Sequence, residues 1–273
     1  MAGAISSRRV GRWALNAAAV VAFVYLSIPL IFVTWLSFYA QEIPNFPPQG
    51  YSLRWYSAAI GNERFIQAFV TSVKVGVLAT LIGLLVALPA ALAISRRRFA
   101  GSGVIGNLLL MPLIVPGIVL GLALYVFQVE TEIATGLPIM GSFAGLVFGH
   151  VLLVIPWTVR LILASLAGFD PTLEEAALNL GANRLTTFRR ITMPSILPGI
   201  VAGALFGFVS SFGNLEMSLF LVAPGETTLP IAILQYLQWR IDPTIAAISV
   251  LQILIIAAAL LVTDRFVKLS RVV

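Results

Sequence analysis

Apolar residues dominate six blocks of the chain, and charged side chains are almost confined to the stretches between them. The blocks run from about Ala14 to Tyr39, Phe65 to Ser95, Val104 to Phe127, Phe143 to Leu163, Ile196 to Ala223 and Thr244 to Thr263. Each reaches the roughly 20 residues needed to cross about 30 Å of bilayer core as a helix, the form in which a spanning backbone satisfies its own polar groups. Arg8-Arg9 ahead of the first block has the look of a signal sequence. That block is 26 residues long, however, against about 7–15 for the apolar region of a signal, so it is read as a retained first span. Two intervening stretches carry patterns of their own. Residues 42–62 are rich in Pro and Gly and then read Tyr51-Ser52-Leu53-Arg54-Trp55-Tyr56, which predicts a loop followed by a short interfacial helix with an aromatic anchor. Residues 164–195 form the longest polar connection.

Composition strengthens this picture. The chain has 273 residues, 59% apolar and 10% charged, with a mean hydropathy of +1.00; soluble domains run nearer about 25% charged. The fold class is therefore all-α and membrane-integral, with six transmembrane helices and residues 1–273 forming a single transmembrane domain. A net charge of +6 would suggest nucleic acid in a soluble protein, but the basic residues sit in short clusters between apolar runs, which argues against nucleic acid as a partner. With the N-terminus placed inside, the loops and tails called cytoplasmic hold Arg8, Arg9, Arg12, Arg96, Arg97, Arg98, Arg160, Arg184, Arg189, Arg190, Arg265, Lys268 and Arg271, whereas the opposite side holds Arg54, Arg64 and Arg240. That asymmetry predicts that both termini and the 164–195 loop face the cytoplasm. Lys74 falls within the second span, within reach of its outer end.

Gly141, Gly145 and Gly149 in the fourth span, and Gly199, Gly203 and Gly207 in the fifth, recur every four residues. Such stripes let helix backbones approach closely, either inside one bundle or at a subunit interface. Pro29, Pro89, Pro112, Pro116 and Pro156 predict kinks or broken ends within or beside spans.

The 164–195 loop has a helical signature. Asp170 is placed to cap and Pro171 to open a helix, Leu173, Ala176, Ala177 and Leu180 share one face, and Gly181 is a stop. A second short helix follows, with Leu185, Phe188 and Ile191 apolar and Arg184, Arg189 and Arg190 basic. Such a pair either lies on lipid headgroups or docks against another protein.

The residues Glu175-Ala176-Ala177, Gly181, Ile191 and Met193-Pro194 keep every spacing of a cytoplasmic signature: Glu-Ala-Ala, three residues, Gly, nine residues, Ile, one residue, Leu-Pro. In this loop the chain resembles the permeases of binding-protein-dependent type I ABC importers, with Met193 in place of the usual leucine, a swap that conserves volume. The resemblance covers about residues 65–263. It implies that residues 164–195 form a coupling helix seated in a separate cytoplasmic ATPase, with Glu175 pairing there, Ala176 and Ala177 permitting close docking, Gly181 supplying the bend, and Ile191 and Pro194 completing the motif. It further implies a second permease subunit (paralogue or identical copy), two cytoplasmic ATPase subunits, an extracytoplasmic solute-binding protein, surrounding lipid, and a bacterial inner-membrane, multi-pass location. The chain has no G-x-x-x-x-G-K-[ST] segment and its only lysines are Lys74 and Lys268. It is therefore expected not to be an enzyme on its own and to carry no cofactor, ATP and Mg being bound by the partner ATPase.

Ionisable groups inside spans are candidate pathway residues. Glu216, within Ser210-Ser211-Phe212-Gly213-Asn214-Leu215-Glu216, either lines a substrate pathway with Asn214 or pairs structurally with an Arg or hydroxyl of another subunit. His150 is either part of such a pathway or hydrogen-bonded to a neighbouring helix. The segments at 223–230 and 239–243 resemble the outer loop of spermidine/putrescine-type permeases and their relatives for iron, phosphonates and opine-like solutes. Where the polyamine members are expected to hold an acidic pair, Gly213-Asn214 stands here, with the acid at Glu216. The expected cargo is thus a small polar or charged organic solute. The alternative is a self-contained secondary carrier or channel with Glu216 and His150 as an ion relay. One histidine and no cysteine leave no constellation for intramembrane catalysis.

Overall fold

A computed structural model describes residues 2–96, 101–223 and 225–267, with side chains from residue 12 to residue 265. Of the basic residues used for orientation, Arg97, Arg98, Lys268 and Arg271 lie outside the described residues, as do the side chains of Arg8 and Arg9; Pro224 of the outer segment is likewise outside.

The described residues are helical, apart from turns and one isolated bridge between Tyr39 and Tyr51. In chain order the helices are α1 (Ala2–Leu36), α2 (Arg54–Gly61), α3 (Glu63–Arg96), α4 (Ser102–Leu110), α5 (Gly117–Thr135), α6 (Phe143–Ala167), α7 (Thr172–Asn179), α8 (Arg184–Thr187), α9 (Met193–Phe212), α10 (Glu216–Leu221), α11 (Leu229–Trp239) and α12 (Thr244–Val267). Six helical stretches are long and apolar enough to cross a membrane: residues 12–36, 63–96, 117–135, 143–167, 184–212 and 244–265.

Two of the expected spans are divided. The third, expected as one helix over 104–127, is α4, a 3₁₀ turn at Met111–Leu113, and a separate α5. Pro112 and Pro116 remove two donors and disfavour helix at the residues before them, so the chain turns between 111 and 116. The fifth, expected over 196–223, ends at Phe212 and resumes as the six-residue α10. Gly141 precedes α6 rather than belonging to it and holds φ +64° in a turn. Pro29, Pro89 and Pro156 remain inside continuous helices, and α11 occupies part of a segment expected to be loop.

The chain divides into two compact units. In the first (residues 1–62 and 236–254), α1 has no buried residue from 12 to 36. The expected interfacial helix is α2, whose buried Trp55 donates Nε1–H to the Tyr39 carbonyl at 2.6 Å and lies 4.2 Å beneath the Arg54 guanidinium.

In the second unit (residues 63–235 and 255–273), α3, α6 and α9 pack mutually around Val75, Ala79, Leu146, Val154, Val159 and, towards the other end, Ala91, Ile162 and Ile196. Both glycine stripes serve packing within the chain. A Cβ at Gly203 would lie 3.0 Å from Thr158 Cα, and one at Gly207 2.7 Å from Val154 Cγ1, so α9 touches α6 backbone to backbone. Gly149 makes room for α10 side chains, since a Cβ there would meet those of Leu221 and Met217.

Candidate functional site

Two places gather the residues singled out above. The first is the 164–195 loop. Asp170 Oδ1 accepts from the Thr172 N–H at 3.0 Å, opening α7, and the same residue's donors hold its carboxyl below the ordinary range. The end of α7 is a Schellman motif: Ala182 N–H donates to the Ala177 carbonyl and Gly181 N–H to that of Leu178, both at 3.0 Å, with Gly181 at φ +88°. Asn183 then caps α8 by accepting from Thr186 N–H at 2.8 Å. A π-helical turn, Phe188–Thr192, leads into α9 with Ile191 half-buried and Pro194 in its first turn.

Adjacent acids on α7 have different surroundings: Glu174 is half-buried and Glu175 exposed. Glu174 pairs with Arg96, the last residue of α3, and accepts from the hydroxyl of the fully buried Thr192; Arg96 also donates to Thr192 Oγ1 at 3.3 Å. A cleft of about 260 Å³ lies beside this bridge, lined in part by Leu178, Arg184 and Phe188. Glu175 points outward with Leu173, Ala176 and Leu180, all exposed, and Ala177 is half-buried. Sequence reasoning named Glu175 and missed Glu174, Arg96 and Thr192. The available signal was helical spacing: Glu174 and Leu178, four apart, share a face, and Glu174 points about 100° around the helix from Glu175.

The second place is the α9–α10 break. Its residues 213–215 leave few orphans: Gly213 N–H donates to the Val209 carbonyl and Asn214 N–H to that of Ser211, while Asn214 Oδ1 accepts from Met217 N–H at 2.9 Å and so caps α10. Irregular backbone at membrane depth persists when it is satisfied in this way. Glu216 opens α10, is exposed, and has no ionic partner among the described residues. Its carboxylate lies against Gly117, the first residue of α5, so closely that a Cβ there would collide with it; one at Gly121 would lie 3.2 Å from the Glu216 carbonyl oxygen. Two broken helices thus meet at one acid. Asn214 and Glu216 are brought together by chain proximity, but Asn214 spends its side-chain oxygen on the cap.

His150 is buried in α6 and bonded by its ring nitrogens to Ser211 and Ser218, the hydroxyl partnership foreseen as one of its two roles. No hydrogen bond among the described residues joins it to Glu216.

The family model for "Binding-protein-dependent transport system inner membrane component" matches residues 79–271. The chain belongs to this family. It is a transmembrane permease subunit of an ABC importer and a multi-pass inner-membrane protein. The permease is 29% identical to the spermidine/putrescine transport system permease protein PotC of Haemophilus influenzae over 252 residues, 92% of this chain and 95% of that one. It is 32% identical to the molybdenum transport system permease protein ModB of Escherichia coli K12 over 216 residues, 75% and 94% of the two chains. Its fold matches a chain of a bacterial alginate ABC transporter, solved in complex with an alginate pentasaccharide-bound periplasmic protein, at a TM-score of 0.69 and 18% identity over 93% of each.

Proposed function

We propose that residues 1–273 act as one permease domain whose two termini face the cytoplasm and whose 164–195 loop docks on a cytoplasmic ATPase. The observation that carries this is the split of the two acids on α7. With Glu174 drawn inward by Arg96 and Thr192, Leu173, Glu175, Ala176 and Leu180 are left exposed on α7 and at its end. Arg96, Arg184, Arg189 and Arg190 near this loop suit the cytoplasmic side. ATP and Mg bind to two such ATPase subunits and no cofactor resides in this chain; a second permease subunit completes the pathway, and an extracytoplasmic solute-binding protein delivers the solute. The periplasmic protein bound to the alginate transporter supports that last partner. Gly181→Pro is expected to abolish co-purification of the ATPase with the permease, because proline cannot adopt the φ of +88° found there. Gly181→Ala, which costs about 1–2 kcal/mol in the left-handed region, should weaken it. Undiminished association and uptake in the proline variant would remove the docking assignment.

The cargo we assign is a small organic cation of the polyamine kind. Glu216 supports it: an exposed carboxylate without an ionic partner among the described residues, at the meeting of two helix breaks, in a chain related to a spermidine/putrescine permease. The ModB relationship supplies the contrary case, a molybdenum transport system. Glu216→Gln is expected to lower uptake of labelled putrescine about tenfold, the worth of one charge-assisted contact. If putrescine uptake is unchanged, or if the wild-type complex takes up molybdate instead, the cationic assignment falls.

A further inference from the structure

The break between α9 and α10 is bridged from outside by a single side chain. His150, on α6 and 1% exposed, places Nδ1 2.7 Å from Ser211 Oγ and Nε2 3.0 Å from Ser218 Oγ. Ser211 is in the last turn of α9 and Ser218 in the first turn of α10, so the imidazole holds both sides of the interruption at 213–215. Both serines are themselves buried, at 2% and 0% exposure.

The direction of these bonds follows from counting protons. A serine hydroxyl has one hydrogen. That of Ser218 is given to the Asn214 carbonyl at 2.8 Å, so towards His150 Ser218 only accepts, and Nε2 must carry the ring proton. In the neutral imidazole Nδ1 is then the acceptor and takes the hydrogen of Ser211. The chain of donation runs Ser211 to His150 to Ser218 to the Asn214 carbonyl, and every buried polar atom along it is satisfied. It ends on the residue whose side chain caps α10 through Met217 N–H, two residues before Glu216. Deleting the ring would leave the buried Ser211 hydroxyl without its partner and Ser218 with only its bond to the Asn214 carbonyl, loosening the hold on α10 in the glycine-lined seat formed by Gly117, Gly121 and Gly149.

We infer that His150 is a positioning residue for the pathway carboxylate: it splints the α9–α10 break so that Glu216 is presented against the start of α5 and away from the bundle core. This rests on the reading of Glu216 as a pathway residue. Other readings of the ring fare less well: both nitrogens are committed to serines, and no group of three or more metal-ligating side chains exists among the described residues.

The composition makes the test direct, since the chain has no cysteine and one histidine. In the permease co-expressed with its partner subunits, Glu216→Cys supplies a thiol whose rate of reaction with a charged, water-soluble methanethiosulfonate reagent reports its presentation. Adding His150→Phe, which keeps the ring volume but neither hydrogen bond, is expected to change that rate by about tenfold. Adding His150→Gln, which retains one donor and one acceptor, should restore it to within about threefold. In the Glu216 background, His150→Phe should raise the KM for putrescine while leaving the maximal rate per folded complex nearly unchanged. Equal thiol rates in all three backgrounds would overturn the splint, whatever the cargo. Altered thiol rates together with unchanged putrescine uptake in Glu216→Gln would keep the splint and discard the cationic pathway. If His150→Phe does not assemble, Ser211→Ala and Ser218→Ala each remove one link and are expected to shift the thiol rate in the same direction. The ¹⁵N spectrum of the lone histidine is expected to show the neutral Nε2–H form, and an Nδ1–H or doubly protonated ring would overturn the relay.

Discussion

Gly203→Val is expected to deplete the membrane of folded permease. A Cβ at Gly203 would sit 3.0 Å from Thr158 Cα and 3.3 Å from the Thr158 carbonyl oxygen, and those are backbone atoms within a helix that cannot swing aside. Valine adds two further methyl groups to that contact. Overpacking of a close-packed core costs about 1–3 kcal/mol when side chains can rearrange, and here relief requires moving α6 away from α9. That movement would also lengthen the 3.4 Å bond from Thr158 Oγ1 to the Gly203 carbonyl. A lowered midpoint in thermal unfolding of the solubilised protein, with loss of the monodisperse peak, is the expected readout, and Gly203→Ala should fall between valine and wild type. Gly106→Ala is the control, because nothing lies within 4 Å of a Cβ there. A wild-type midpoint for the valine variant would show that α6 and α9 do not approach as described.

The second large effect concerns the bridge between α3 and α7. Arg96→Glu or Glu174→Arg alone places like charges together beside the buried hydroxyl of Thr192, and each is expected to cut coupled uptake by about tenfold or more, the scale of a hydrogen-bonded charge left without its partner. The double reversal restores an ion pair and is expected to recover most of the activity. Arg96 and Glu174 retain 38% and 20% side-chain exposure, so solvent moderates the pair's contribution to stability. The effect should therefore appear in uptake and in stimulation of the partner ATPase more than in unfolding temperature. A double reversal no better than either single change would mean that the contact plays no part in coupling.

Much of this was legible in the sequence because lipid imposes simple rules. A block of about 20 apolar residues has few fates, and four of the six blocks become spanning helices with ends close to those expected. The cap at Asp170, the stop at Gly181 and the helices on either side also followed from local chemistry. Interruptions within apolar blocks were harder to see. Gly213-Asn214 and the pair Pro112 and Pro116 mark breaks, but hydropathy averages over them, and the spans were drawn through. That Glu174 turns inward depends on Arg96 and Thr192, which lie 78 and 18 residues from it. Such long-range partners leave no periodic trace along the chain. His150 shows the same limit: its two roles were stated in advance, but which serines hold it depends on where α9 is broken.

The contacts of α3 have a mechanical consequence. At one end Arg96 grips the 164–195 loop through Glu174; near the other, Ser72 Oγ accepts from Leu229 N–H at 2.8 Å and Thr71 Oγ1 donates to Glu226 at 3.4 Å, fastening the segment after α10. The two attachments are 24 residues apart on a continuous helix, or about 36 Å at 1.5 Å per residue. α3 is thus a rod with a handle at each end. A tilt of about 5° about one attachment carries the other by about 3 Å, roughly the length of a hydrogen bond.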